Sequence, residues 1–536
     1  MLGTVFSEGT FMTIWDWLVV SIYSLFMIYL GWRLGQTQKS VDDYFLGGRR
    51  IPWLPIGFST MATQLGAISF ISAPAFVALR PQGGMIWLGY ELALPIAMVV
   101  LMAFFFPLYH ARRIISVYAF LEERFDISTR IAISIIFQIS RGLATGVAVY
   151  AAALVLAVTL RIPLTLTLLL IGAVAVAYEL MGGIRVDIIS DTIQMVIILL
   201  GIVVTGVVGL RLIGGWGSLA ADLDPARLIA IDFAGHGWGD GRDFGFWPLF
   251  LGGFFLYASY YGCDQSQVQR ELSARSLKEC RYSLLFNGFL RFPVVLATCT
   301  VGLILGAFVQ RNPAFLARIP SGGYDYLLPT FILEHMPPGL VGLIFIAIVA
   351  AAMSSLDSSI NSLSAATLED IIKRLRARPL DPGRELWLSK ILTFGWGGFC
   401  VGFAFFVGDI SPTVIESINK IGSAFYGPVF AVFFAAVFLR KAKPLAVLIG
   451  LGISVGFNLF LWLFVPSVSW LWWNAVGFGL ALFVIAVGSR FLQPGFPDTP
   501  PPARIPSSPG WKIIYALLVF YTLGLIIFLV LFPRAF

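Results

Sequence analysis

The sequence is poor in charge, in cysteine and in histidine, and each scarcity excludes a class of function. Charged residues make up 12% of the 536 residues and hydrophobic residues 58%, whereas soluble domains carry about 25% charged residues. Lipid must therefore be the solvent for much of the chain. The four cysteines show neither metal-ligand spacing nor a disulfide framework, and the three histidines are isolated from one another. This excludes a zinc centre and a histidine-based active site.

Long apolar segments recur along the chain. A transmembrane helix needs about 20 mostly apolar residues, and the sequence predicts an all-α polytopic membrane protein with about fourteen such helices. The predicted spans are 14–33, 53–78, 85–108, 130–158, 162–181, 189–212, 246–264, 282–309, 340–371, 389–409, 421–440, 444–465, 469–490 and 512–533. The segment 340–371 is longer than one span and should project into the cytoplasm.

Basic residues are concentrated in alternate loops, and this predicts the orientation of the spans. With an external N-terminus, most of the 36 Lys and Arg residues fall on the cytoplasmic side, as the positive-inside rule requires. We therefore expect a multi-pass protein of the cell membrane with both termini outside. The net charge of +7 then reflects loops beside a lipid bilayer and does not indicate nucleic acid. The proline-rich stretch 491–511 reads as a stiff cytoplasmic linker that sets 512–533 apart as an accessory helix.

Glycine and proline interrupt two of the predicted spans. They are Pro55, Gly57, Gly66 and Pro74 in the span 53–78, and Gly252, Gly253 and Gly262 in the span 246–264, which ends at Asp264. Unwound backbone at membrane depth is tolerated only where it lines a cavity or is buried in protein. Interrupted spans at corresponding positions of two halves indicate the binding site of an inverted-repeat transporter. Glycine also permits close helix packing, and for either helix alone both interpretations stay open.

The ninth predicted span carries the most specific polar pattern. Ser354, Asp357, Ser358 and Asn361 recur at three- and four-residue spacing and so share one helical face, with Ser355 at its edge. Hydroxyls, together with carbonyls freed by a broken helix, can replace the hydration water of a small hard cation such as sodium. A packing seam of small residues would explain the serines. It does not explain the aspartate, because a charge at the centre of a span costs roughly 2.5–3.5 kcal/mol.

Further ionisable residues fall inside predicted spans, where charges face cavities or each other and mark functional paths. We expect Glu91, Asp191 and Arg291 to belong to such a path. Arg141 could instead form a structural ion pair, and Lys420 could extend to the membrane interface.

Three groups of residues carry a family resemblance. They are Gly182-Gly183 with Asp191-Thr192-Ile193-Gln194, Asp264-Gln265 with Val268-Gln269-Arg270, and Ala351 with Ser354-Ser355, continuing through Asn361 to Glu369-Asp370. These motifs resemble the sodium:solute symporter family, which includes sodium/glucose, sodium/monocarboxylate and sodium/proline transporters, and the resemblance covers roughly 14–490. It implies a leucine-transporter-like fold with two inverted five-helix repeats, near 53–212 and 246–440, and peripheral helices at 14–33 and 444–490.

The resemblance also implies where sodium binds. In this family one sodium ion lies between the first and the eighth helix of the repeats. Carried over by motif, its ligands are the carbonyls of Ala62, Leu65 and Ala351 and the hydroxyls of Ser354 and Ser355. Some members bind a further sodium ion, and we predict a second cation site here with Asp191, Asp357 and Ser358. Asp357 departs from the family pattern, since several relatives have serine or another small residue at this place.

Six residues are assigned to the substrate on the same basis. They are Ser69, Glu91, Tyr257, Tyr260, Arg291 and Asn419. Compared with sodium/sugar members, Arg291 replaces a lysine, Asn419 replaces a glutamine and Ser69 replaces a sugar-contacting glutamine. Polar groups of both signs suit a polyhydroxylated ligand, so a sugar or polyol is favoured. Arg291 also suits a carboxylate, which makes a monocarboxylate or vitamin-like organic anion the runner-up.

The expected function is therefore import of a small polar solute by sodium symport through alternating access, with no enzyme activity and no cofactor. Proton coupling stays an alternative because Asp357 and Glu91 could titrate. A channel would need rings of like charge or a filter repeat. A membrane-embedded enzyme would need a clustered acidic motif, and a sensor would need an appended signalling domain. The sequence shows none of these features. The substrate, the stoichiometry and the oligomeric state stay open.

Overall fold

The computed structural model describes residues 12–36, 40–160, 162–319, 323–376, 379–407, 413–492 and 507–535. Within these ranges the ordered backbone is helical and no strand forms, although two isolated bridges join Ile51 to Ala274 and Trp238 to Val468. The all-α prediction is confirmed for this part of the chain. Most of the predicted linker 491–511 lies outside the described residues, so the linker stays a prediction.

The helices that cross or line the bundle are numbered α1 to α15. Their bounds are α1 Ile14–Gly35, α2 Trp53–Leu65, α3 Ala67–Ala78, α4 Met85–Arg112, α5 Ile127–Leu160, α6 Leu164–Ile213, α7 Gly253–Cys263, α8 Gln265–Leu272, α9 Leu277–Arg311, α10 Leu340–Ala366, α11 Pro382–Ala404, α12 Val414–Phe438, α13 Pro444–Phe464, α14 Trp470–Phe491 and α15 Pro509–Leu531. Short helices lie between them at Val41–Leu46, Ala119–Arg124, Trp216–Asp222, Pro225–Leu228, Pro313–Leu316, Leu327–His335 and Lys373–Leu375. The π-helical segments are Leu101–Phe105 within α4, Pro248–Gly252 before α7 and Thr367–Ile372 after α10.

The number of membrane spans can be compared with the prediction for the described residues. Among the described residues, ten helices are long and apolar enough to cross a bilayer, and the bent pair α2–α3 makes an eleventh. The predicted count of fourteen is therefore not confirmed. The other three predicted spans are also helical in the structure: 162–181 falls in α6 before Gly183, 340–371 begins with α10, and 246–264 contains α7.

Three breaks divide the central helices. Gly66, with φ −34° and ψ −166°, ends α2, and the next helix continues at an angle of 50°. The backbone of Asp264 is extended and ends α7, and its carboxylate caps α8 by accepting a hydrogen bond from Ser266 N at 2.9 Å. Within α6, Gly183 has φ 53° and ψ −167°, a conformation available mainly to glycine. The first two breaks lie in the spans that the sequence predicts to be interrupted.

The middle of the bundle is formed by α4, α9 and α12, and α1 and α15 lie on its outside. The apolar cores of α4, α9 and α12 are 72%, 72% and 78% buried, whereas those of α1 and α15 are 17% buried. The outer helix α1 nevertheless fixes the start of α10, since Asp16 accepts hydrogen bonds from Gly339 N at 2.8 Å and Gly342 N at 2.7 Å. Two tyrosine hydroxyls of α15 donate to backbone carbonyls of α4 and α9. The outer helices are thus attached to the elements that surround the site.

Candidate functional site

A cavity opens where the break between α2 and α3 meets α4, α5, α7, α9, α10 and α12. Polar and aromatic side chains from all these helices form its wall. Of the predicted site residues, those lining the cavity are Leu65, Ser69, Glu91, Tyr260, Arg291, Ser355 and Asn419. The cavity therefore lies at the interruption that the sequence singles out, where unwound backbone is tolerated because it faces an internal space.

Glu91 of α4 and Arg291 of α9 form a buried ion pair in the cavity wall. Arg291 Nε donates to Glu91 Oε2 at 2.6 Å and Nη2 donates to Oε1 at 3.3 Å, so the contact is bidentate. The same guanidinium donates to Gln64 Oε1 at 2.8 Å and to the Tyr257 hydroxyl at 3.4 Å. The Arg291 and Glu91 side chains are 4% and 2% exposed. Because the two charges compensate each other inside the protein, the pair presents polar edges to the cavity without a net charge.

Arg141 of α5 is the second arginine in the cavity wall. Its Nη2 donates to the carboxylate of Asp264, the residue that separates α7 from α8, and its guanidinium carbon lies 4.9 Å from the centre of the Tyr260 ring. Among the described residues, Nη2 is its only atom with a hydrogen bond to protein. A guanidinium has five N–H donors. Pairing with Asp264 therefore uses only part of the hydrogen-bonding capacity of Arg141.

Aromatic rings complete the wall of the cavity. The Tyr260 ring meets the Tyr426 ring edge-on, with 6.0 Å between the ring centres. Asn419 Oδ1 accepts a hydrogen bond from the Tyr90 hydroxyl at 3.5 Å. The Tyr257 ring packs 4.7 Å from that of Tyr90, but Tyr257 does not line the cavity. Its contact with the ligand site is therefore indirect, through Tyr90 and the buried arginine.

The predicted sodium site lies where the end of α2 meets α10. The last carbonyls of α2, which include those of Ala62 and Leu65, have no helical partner because the helix ends there. Ser355 of α10 reaches this turn, since its Oγ donates to Thr63 O at 3.3 Å. Carbonyl and hydroxyl oxygens of the kind that sodium needs are thus brought together. Two further predicted ligands stay predictions, because their side chains lie outside the described part of the structure: Ala351 and Ser354.

The residues predicted for a second cation lie buried between α6 and α10. Asp191, Asp357 and Ser358 are 0%, 1% and 2% exposed. Asp191 Oδ2 accepts hydrogen bonds from Ser59 Oγ at 2.6 Å and from Arg270 Nη2 at 3.2 Å. The charges of Asp187 and Asp191 both act on Asp357, whose two carboxylate oxygens have no hydrogen-bond partner among the described residues. The Arg270 guanidinium opposes them, so one guanidinium lies near three carboxyl groups at this contact.

Two residues of the site were missed or undervalued at the level of sequence. Gln64 accepts a hydrogen bond from Arg291 and lines the cavity, and its position just before Gly66 was the available signal. Arg141 was weighed as a structural ion pair. The pair with Asp264 exists, yet Arg141 also lines the cavity, because the residue sits where the two broken helices approach each other.

Broken helices around a polar cavity, beside a junction rich in hydroxyl and carbonyl oxygens, define a membrane carrier that binds a small solute with a cation. The family model described as "Sodium:solute symporter family" matches residues 44–453. The chain therefore belongs to the sodium:solute symporter family. Members of this family are transporters and not enzymes, and sodium is their coupling ion. The resemblance read from the motifs is confirmed.

Two relatives and one solved structure show the degree of similarity. The sodium/iodide cotransporter of Homo sapiens is 29% identical over 453 residues, covering 83% of this chain and 69% of that protein. The sodium/sialic acid symporter of Proteus mirabilis (strain HI4320) is 29% identical over 438 residues, covering 81% and 86%. A Na⁺-coupled sialic acid symporter, solved in a substrate-bound outward-open state, superposes with a TM-score of 0.81 at 26% identity, covering 92% of this chain and 100% of that chain. The chain thus has the leucine-transporter-like fold of such sodium symporters.

Proposed function

We propose that this chain imports a small hydroxylated organic anion together with sodium. The observation that carries the proposal is Arg141. Arg291 and Glu91 compensate each other in the cavity wall, whereas Asp264, the partner of Arg141, lies outside the cavity lining. A guanidinium with unused donors beside the cavity suits a carboxylate. The names of both relatives, the sodium/iodide cotransporter and the sodium/sialic acid symporter, also refer to anions.

Sodium would bind between the end of α2 and Ser355 of α10 and hold the two helices together. This contact would fix the wall of the cavity next to Ser69, so that substrate binds more tightly once sodium is present. Coupling follows when both ligands favour the same state of the protein. Tyr260 would close the cavity towards the cytoplasm, and separation of α2 from α10 would release ion and substrate. The membrane potential contributes about 2.3 kcal/mol per charge per 100 mV to this import.

A second coupled cation at Asp191, Asp357 and Ser358 is part of the proposal. Arg270 compensates Asp191 through their 3.2 Å contact. A second sodium ion, bound with the help of the Ser358 hydroxyl, would compensate Asp357, on which Asp187 also acts with a like charge. Two sodium ions would also outweigh the negative charge of an organic anion, so that the membrane potential drives the import of the loaded carrier.

The proposed topology completes the carrier. The repeats would occupy 53–212 and 246–440 and be related by inversion, because a broken helix opens each of them, at Gly66 and at Asp264. The loop charges favour a cytoplasmic position for the segment between α8 and α9, and with it external termini. This orientation would place the Asp264 break on the cytoplasmic side of the cavity, where Tyr260 lies.

A neutral sugar or polyol is the second candidate substrate, and one observation favours it. All three guanidinium nitrogens of Arg291 donate hydrogen bonds within the protein, to Glu91, Gln64 and the Tyr257 hydroxyl. A ligand next to this pair would therefore meet polar edges without charge. Hydroxyl groups, which donate and accept, would be suited to Asn419 and Ser69 at the cavity surface.

Uptake by purified protein in liposomes separates the candidates. Labelled sialic acid, lactate, glucose and mannitol are offered under an imposed sodium gradient or an imposed proton gradient. We expect sodium-driven uptake of an acid, reduced at least tenfold in Arg141→Gln and retained in Thr145→Val, a matched change one turn further along the same cavity wall. Uptake of a neutral compound that Arg141→Gln leaves intact would support the second candidate. Uptake that follows the proton gradient alone would contradict sodium coupling.

A further inference from the structure

A buried carboxyl group joins three helices outside the cavity. Glu271, near the end of α8, has no exposed surface. Its Oε1 accepts hydrogen bonds from Thr60 Oγ1 of α2 at 3.0 Å and from Ser283 Oγ of α9 at 2.8 Å. Its Oε2 is buried and has no hydrogen-bond partner among the described residues. The substrate and sodium sites described above do not use this group.

The residue before Glu271 shows what the junction does. Arg270 donates to Ser59 Oγ of α2 at 2.7 Å and pairs with Asp191 of α6. Two consecutive residues of α8 are therefore bonded to two consecutive residues of α2, and the second of these lies two positions before Ala62 in the proposed sodium site. An arginine stays charged in proteins, so the bond between Arg270 and Ser59 is not changed by protonation of the arginine. A glutamate can be charged or neutral, so the bond between Glu271 and Thr60 can depend on pH.

The surroundings of Glu271 decide which form is favoured. Arg270 lies on its own helix, the Cys280 thiol and behind it Arg281 lie on α9, and α2 contributes only hydroxyl groups. An ionised carboxylate in a fully buried position is costly. Burial outweighs the hydrogen bonds from Ser283 and Thr60, the contact of the Cys280 thiol and the charge of Arg270, and it raises the pKa of Glu271 from its usual 4.5 to about 7. The intact junction thus favours the neutral acid.

We propose that Glu271 is a proton-binding site whose occupancy depends on the contact between α2 and α8. A proton from cytoplasmic water is held on the carboxyl group while the helices are joined, and it returns to water when they separate and the group becomes hydrated. This inference rests on the proposed sodium-driven alternating access. Bound sodium and the bound proton then favour the same joined state, and each strengthens the binding of the other.

The sign of the effect follows from the two environments. In the joined state the carboxyl keeps its proton up to about pH 7, whereas in water a glutamic acid loses it near pH 4.3. Stabilisation of the joined state is therefore fully present at low pH and is lost as the pH rises through about 7. Sodium affinity should increase as the pH falls from 8 to 6, by up to roughly tenfold. Simple competition of protons with sodium would give the opposite sign.

Equilibrium binding of ²²Na⁺ to the purified full-length protein tests this at pH 6, 7 and 8 with constant ionic strength. We expect the sodium Kd of the wild type to fall between twofold and tenfold from pH 8 to pH 6. The Kd of Glu271→Gln should not change with pH. Glu279→Gln is the matched control, since Glu279 also links α9 to α2, through a hydrogen bond from Trp53 N at 2.7 Å, and this variant should follow the wild type.

A second measurement does not depend on any variant. In weakly buffered solution at pH 7, adding sodium chloride should make the wild-type protein take up protons from a pH-indicating dye, relative to choline chloride. Proton release, a Kd that rises or stays constant at low pH, or a wild-type trend in Glu271→Gln would overturn the proposal. Absence of sodium binding in every protein at every pH would instead overturn the sodium site on which it rests.

Discussion

Removing one hydroxyl from the proposed sodium site gives the most direct test of where the ion binds. Ser355 is the described residue of α10 that contacts the last turn of α2, through its 3.3 Å hydrogen bond to Thr63 O. The substitution Ser355→Ala removes this oxygen and preserves the helix. An interaction with a charged partner contributes about 1.5–3 kcal/mol, which corresponds to a roughly 10–100-fold increase in the sodium Kd. Loss of the hydrogen bond itself costs only about 1 kcal/mol of stability.

Binding of ²²Na⁺ to purified protein measures this change, and thermal unfolding shows whether the variant is folded. Ser359→Ala is the matched control. Ser359 also lines the cavity, one turn further along α10, where its hydroxyl donates to Ser355 O at 2.7 Å. We expect the control to keep its sodium Kd within about twofold. Equal Kd values for a folded Ser355→Ala and the control would refute the placement of sodium between α2 and α10.

Three further predictions concern the ion pair, the second cation and helix packing. Glu91→Gln or Arg291→Gln alone leaves a buried charge unpaired and should destabilise the protein by about 3–5 kcal/mol. In thermal unfolding, the double variant should lose less stability than the two single variants lose together. Strictly additive losses would contradict the pairing. Asp191→Asn should lower the Hill coefficient for sodium-driven uptake towards one; a wild-type value near one that stays unchanged argues for a single ion. Gly427→Ala would place its Cβ 2.0 Å from a backbone oxygen of α14 and should lower the unfolding temperature and the yield of folded protein, whereas Gly479→Ala, with no atom within 4 Å, should behave like the wild type.

The broken helices could be predicted from the sequence because their causes are local. Gly66 and Asp264 interrupt spans that are rich in glycine or proline, and each lies at a helix end in the structure. The extent of the helices could not be predicted in the same way. The segment 246–264 is as apolar as a membrane span, and its helix includes a π-helical stretch, Pro248–Gly252, that passes directly into α7. Composition alone does not distinguish a helix with a π-helical stretch from a regular α-helix.

The members of the site could be predicted better than their pairing. Glu91 and Arg291 were both expected in a functional path, but their contact joins residues 200 positions apart and depends on how α4 packs against α9. Gln64 received no role because its partner is the same distant arginine. Residue type and helical position show that a group is polar and inside the bundle. Only the tertiary contacts show which other group forms its hydrogen bond or ion pair.

The same distinction bears on Asp357, which we propose as a ligand of the second cation. A charge inside the bundle requires compensation, and the structure supplies it for the arginines: Arg141 meets Asp264 and Arg291 meets Glu91. Asp357 is equally buried, but no described residue donates a hydrogen bond to it, and the like charges of Asp187 and Asp191 act on it more strongly than the positive charge of Arg270. The remaining compensation would come from a transported cation. Because that cation would bind between α6 and α10, its presence would favour the state in which these helices are in contact, as coupling to the first sodium ion requires.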